Sequence, residues 1–118
     1  MAEAGIDGIR AGSQQLTALA LALHDELLAP LGCTWASPRK VERVGGHVAV
    51  RHEHAAAVVL ALRARGVVPD FRVPDLVRVG LNPLTTRFVD VWDGFTALAE
   101  VVRTKAFEGH LEREARVT

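Results

Sequence analysis

Cys33 is the only cysteine in this chain of 118 residues, so no internal disulfide can form and no thiolate cluster can hold a metal. No local motif activates it, and a buried, idle thiol is expected rather than a nucleophile. Net charge is also missing, because fourteen basic and fourteen acidic residues cancel. Without a long-range field to draw in a polyphosphate or an anionic membrane, nucleic acid is not an expected partner. Apolar runs are short. Leu16 to Leu23 is interrupted by Thr17 and soon meets His24, Asp25 and Glu26, too little to span a bilayer. No basic segment precedes an apolar one at the start, as a secretory signal would require, so the default expectation is a cytoplasmic protein with no membrane partner. Lysine is confined to Lys40 and Lys105, and no P-loop, dinucleotide fingerprint or Ser-His-Asp arrangement is present.

What is present suits one small core. Apolar residues make up 49% of the chain, and the length fits a single domain over 1–118, with 108–118 either extending the last helix or fraying. Leu16, Leu19, Ala20, Leu23 and Leu27 recur at helical spacing, with Ser13 placed to cap the start and Pro30 and Gly32 placed to stop it. Cys33 to Ala36 is a short strand candidate. His47 to Arg51 alternates, sending Val48 and Val50 to one face and His47, Ala49 and Arg51 to the other. Glu53 to Arg65 reads as a helix closed by Gly66 in the left-handed conformation.

Beyond it, Val67, Val68 and Phe71 form an apolar segment cut by Pro69 and Pro74, which suits an edge strand. Leu76 to Leu81 alternates again, with Val77, Val79 and Leu81 opposite Leu76, Arg78 and Gly80. From Phe88 onward, Val91, Trp92, Phe95, Leu98, Ala99 and Val102 make a helical stripe that places Trp92 in the core, with Thr86 as its cap. The expected architecture is α+β: a small, largely antiparallel sheet with its apolar face under helices.

The stretch from Arg65 to Trp92 reads RGVVPDFRVPDLVRVGLNPLTTRFVDVW. It combines Arg-Gly-Val-Val, Asp70-Phe71-Arg72, Pro74-Asp75, an arginine between apolar residues at Arg78, Asn82-Pro83-Leu84, and Phe88 followed by Asp90-Val91-Trp92. Together with GIRAGSQQLTALA and SPRKVERVGGHVAVRH, this run resembles the carboxy-terminal small domain of kynureninase, of aminotransferase class V and the fold-type I pyridoxal phosphate (PLP) enzymes. The resemblance implies the same α+β small domain, and it implies that Arg78 occupies the position of the arginine that grips a substrate's α-carboxylate. One departure stands out: Thr85 stands where the family has an aromatic residue after Pro-Leu. The family's cofactor lysine has no counterpart, since neither Lys40 nor Lys105 lies in such a motif, and no Gly/Ser/Thr-rich strand-to-helix turn offers a phosphate cradle. No cofactor is therefore expected on this chain, PLP entering only through a separate large-domain partner.

Arg78 is the leading candidate. A guanidinium matches a carboxylate with a planar fork, and Gly80 leaves room beside it. The competing reading pairs Arg78 with Asp70 or Asp75. His47 shares the open face with Arg78 if their strands are neighbours, and with Asp70 it is the candidate for moving protons; a hydrogen-bonded surface histidine is the alternative. Trp35, Asn82 and Thr85 complete the candidate substrate-binding set. His52 and His54 diverge at a helix start and imply no metal. The Gly45-Gly46 pair reads as a turn.

Three functions follow. In the first, the chain binds an aromatic α-amino acid of the tryptophan or kynurenine type and catalyses a cofactor-free acid-base condensation or cyclisation in secondary metabolism. In the second, it is the small subunit of a split PLP-dependent hydrolase. In the third, it is a non-catalytic interaction remnant. The opening methionine, zero net charge and apolar content make an independent, self-associating homodimer the expectation.

Overall fold

The computed structural model describes residues 2–40, 46–81 and 86–112. Helix α1 runs Ala2–Leu23, so it starts well before Ser13, which lies inside the helix rather than at its start. The residues ahead of Ser13 include Ala2, Glu3, Ala4, Arg10 and Ala11, good helix formers that outweigh the cost of about 1 kcal/mol for each interrupting glycine. The helix then widens into a π-turn over His24–Leu28 and tightens into a 3-10 turn over Ala29–Leu31. It stops where expected: Pro30 brings no N–H, and Gly32 takes φ +90°.

Strand β1 (Thr34–Trp35) and β2 (His47–Arg51) pair antiparallel. Leaving β2, the chain turns on His52, whose N–H donates to the Asp75 carbonyl at 3.0 Å and whose Nδ1 accepts the His54 N–H at 2.9 Å. That corner starts α2 (Ala55–Ala64), which ends two residues before Gly66 at φ +85°, the left-handed glycine expected there. The rings of His52 and His54 pack on Phe107, with centroids 5.1 and 5.5 Å away. Two further strands, β3 (Asp70–Arg72) and β4 (Leu76–Gly80), form a hairpin, and α3 (Phe88–Thr104) is followed by a 3-10 turn over Ala106–His110 that carries Phe107.

The sheet is antiparallel throughout, in the order β1-β2-β4-β3. Its apolar face, with Trp35, Val48, Val50 and Val77, merges into one core with Leu16, Ala20 and Leu23 of α1, Val58 and Leu62 of α2, and Val91, Phe95 and Leu98 of α3. Each of those valines is almost fully removed from water, a burial that stabilises by roughly 1.5–3 kcal/mol apiece. The α+β architecture is therefore as the alternation implied.

The two tryptophans exchange their expected places. Trp92 is 53% exposed, while Trp35 is 8% exposed, with its Nε1–H donating to the Pro38 carbonyl at 3.2 Å. The core stripe of α3 is narrower than its apolar sequence suggests: Val91, Phe95, Leu98 and Val102 fill it, and Phe88, Val89 and Trp92 fall outside. The N-cap of α3 is Arg87 rather than Thr86. Asp90 Oδ2 accepts the Arg87 N–H at 2.8 Å, and both its oxygens hold the Arg87 guanidinium.

Candidate functional site

Directly opposed residues of an antiparallel pair share a face, so the register lays out the sheet's open side row by row. His47 stands opposite Gly80, Ala49 opposite Arg78, and Arg51 opposite Leu76; β3 extends the last two rows with Asp70 and Arg72. Strands β2 and β4 are neighbours, so His47 and Arg78 do share the open face, in adjacent rows.

Ladder polarity sharpens this. The Ala49 N–H donates to Ser37 Oγ at 2.8 Å and its carbonyl accepts the Ala36 N–H at 2.9 Å, so both backbone groups of Ala49 point toward β1. Ala49 and Arg78 thus form a non-hydrogen-bonded pair, the kind whose side chains approach more closely. With only a methyl on one side and Gly80 two residues along, the Arg78 stem has open space around it, and a Cβ built on Gly80 would meet nothing within 4 Å. The backbone of Arg78 points the other way, toward Asp70.

Arg78 Nη2 donates to Asp70 Oδ2 at 3.1 Å, the pairing weighed above as the competing reading. The contact is a surface one, with side chains 23% and 62% exposed, and such pairs contribute about 0–1 kcal/mol. Among the described residues, the bond to Asp70 uses Nη2 of the fork. Asp75 is taken by Arg51, whose Nε lies 3.1 Å from Oδ2. Arg51 and Arg72 therefore flank the Arg78 row. The alternation of β2 already carried Arg51 onto this face, whereas Arg72 emerges only from the β3–β4 register.

Trp35 does not belong to this constellation. It opposes Val50 and lies in the core, on the far side of the sheet from Arg78. Asn82 and Thr85 lie outside the described residues. His47 is exposed, and Asp70 is committed to Arg78. Elsewhere, burial pushes the Cys33 thiol up to about 11, the opposite of nucleophile activation. Hydrogen bonding from Arg39 holds Asp25 below the usual carboxylate range, and Arg87 does the same for Asp90.

Among the described residues, two clefts beside the fold are lined by residues other than Arg78 and His47. One, of about 290 Å³, lies between Gly12, Gln15 and Leu16 of α1 and Thr86 to Phe88. The other, of about 220 Å³, lies between the end of β4, residues 67–69 and α3. Among the described residues, the open sheet face presents Arg78 as a cationic centre outside both of these clefts.

The family model of the kynureninase C-terminal domain matches residues 9–98. Among curated relatives, the kynureninase of Geobacillus thermodenitrificans is 34% identical over 106 residues, covering 90% of this chain and 25% of the relative. The kynureninase of Burkholderia mallei is 36% identical over 115 residues, covering 91% of this chain and 28% of the relative. The chain thus spans about a quarter of the length of these relatives. By the matched residues and the shared sequence, the chain belongs to the kynureninase C-terminal domain family.

Proposed function

We propose that this chain supplies the carboxylate-binding half of a composite kynureninase-type site, with Arg78 receiving the α-carboxylate of an aromatic amino acid. One observation carries the reading: the Arg78 guanidinium sits on an open face, and among the described residues it is held by Asp70 through Nη2, in a pair weak enough for a substrate carboxylate to displace. Ala49 and Gly80 give the incoming group room. A bidentate, charge-assisted pair then replaces a single surface contact.

A face without walls needs a second body to exclude water, which favours the composite reading over cofactor-free condensation. Acid-base catalysis by His47 and Asp70 asks for a shielded pocket, whereas His47 is exposed and Asp70 is spent on Arg78. PLP does not fit the residues present. Lys40 is exposed in a loop and Lys105 is exposed at the left-handed C-cap of α3, so neither has the enclosed surroundings that such a cofactor lysine requires. The cofactor would come with the complementing body, whose place the remaining three-quarters of the relatives' length indicates. Self-association into a homodimer is a further proposal, and the exposed Phe88, Val89 and Trp92 on α3 support it.

Titration with kynurenine, followed by amide-resolved NMR, tests the reading. Saturable shifts are expected at Asp70 and Arg78, and Arg78→Ala is expected to weaken binding about 10- to 100-fold, as for loss of a charged hydrogen-bonded pair. Equal binding by the parent and Arg78→Ala would reject Arg78 as the anchor.

A further inference from the structure

The cleft at the end of β4 is kept open at a cost to stability. Gly94 sits inside α3 and Gly80 inside β4, and both line this cleft. A glycine within a helix costs about 0.5–1 kcal/mol relative to alanine, and within a strand it leaves nothing to pack. Neither has a positive φ, and a Cβ at either would meet nothing within 4 Å. Nothing among the described residues therefore requires glycine at these two positions; Gly94 presents a bare Cα to the volume of about 220 Å³, and Gly80, whose missing side chain belongs to the open face with Arg78, borders it through its backbone.

The cleft also holds a donor and an acceptor. Because the backbone of Ala49 points toward β1, that of Val48 and Val79 closes the β2–β4 ladder, and the N–H and carbonyl of Gly80 are directed outward, past the end of β3. The β3 pairing stops at Asp70 opposite Arg78, and Pro69 precedes it with no N–H to offer. Among the described residues no hydrogen bond to either Gly80 group is found. Around this pair the walls formed by the described residues Leu62, Val67, Val68, Val79 and Leu98 are apolar, and the charged Asp90 among them has both oxygens on the Arg87 guanidinium.

We infer that this cleft binds a small, uncharged apolar molecule carrying one amide. The amide N–H donates to the Gly80 carbonyl, its carbonyl accepts the Gly80 N–H, and the apolar body lies between Leu62, Val67 and Leu98 over the bare Cα of Gly94. An acid, which has no N–H to offer, cannot donate to the Gly80 carbonyl. The site is therefore distinct in chemistry from Arg78, whose side chain stands on the open face while the cleft lies at the sheet's β3 edge.

Benzamide is the probe, with benzoate and N,N-dimethylbenzamide as matched ligands that replace the amide with an anion or remove its donor. In amide-resolved NMR, benzamide is expected to shift Gly80 and Gly94 saturably, and each matched ligand to bind at least about tenfold more weakly, the loss of roughly one well-made hydrogen bond. Gly94→Leu fills the cleft with a better helix former, and Val68→Phe closes it from an exposed rim position; both should abolish the Gly80 shift while keeping a folded spectrum. Arg78→Ala should leave the benzamide titration unchanged, which separates this site from the proposed carboxylate anchor. Unmoved Gly80 and Gly94 resonances, equal binding of benzoate, or full binding in both filled variants would overturn the inference.

Discussion

At the residue scale, one group shows how environment sets chemistry. Cys33 is buried, and loss of solvation pushes its thiol from 9.0 up to about 11. A raised thiol pKa means the folded state holds its proton longer than the unfolded state. The associated stability is fully present below about pH 9 and is lost as pH rises toward 11. The urea midpoint of the parent, measured against Cys33→Ala, should accordingly converge on that of the variant across this window, and native protein should resist alkylation at neutral pH. The tryptophans give a second contrast. Trp35→Ala should cost about 3–5 kcal/mol because a packed ring and its hydrogen bond are removed, while an exposed Trp92→Gln change should fall within about 0.5 kcal/mol. Urea unfolding of the two variants measures both.

At the element scale, the start of α3 depends on Asp90, which accepts the Arg87 N–H and braces its guanidinium. Arg87 depresses the Asp90 pKa below its ordinary 3.8, so the contribution is present above that pH and disappears as pH falls through the lower folded value. Asp90→Asn should lower Tm at neutral pH, and the difference should vanish in acid; thermal melts at several pH values decide it. Strict alternation made β2 and β4 readable, since period two admits one assignment of faces once a core exists. Gly66 was equally plain, because a helix end before an extended segment favours a residue at home with positive φ. Ser13 misled because a good local cap counts only where the preceding residues resist helix, and these do not. Trp92 misled for a different reason: sequence shows that a stripe is apolar, while only the packing of α1 and α2 against α3 decides how wide a stripe is covered.

At the scale of the whole molecule, the site is a product of strand order. Residues 47, 70 and 78 lie far apart along the chain and meet because β4 is inserted between β2 and β3. Sequence offered the open face of each strand but not the register, which is why Arg78 was legible as a candidate and its partner Asp70 stayed one of two options. The core beneath is a single cluster to which α1, α2, α3 and the sheet all contribute. Phe95 lies at its centre, fully buried, so Phe95→Ala should cost about 3–5 kcal/mol, a large share of a total that for most domains is roughly 5–15 kcal/mol. Circular dichroism melts should record one cooperative transition moved far down in temperature, with helix and sheet signals lost together.

Asp70 has a consequence for recognition. A long arginine side chain carries about 2 kcal/mol of rotamer entropy, normally surrendered when it is pinned by a ligand. Here the aspartate across the hairpin has already pinned it. On the proposed reading an arriving acid would trade places with the resident one, and affinity would depend on how much better the newcomer fits the guanidinium plane rather than on freezing a loose side chain.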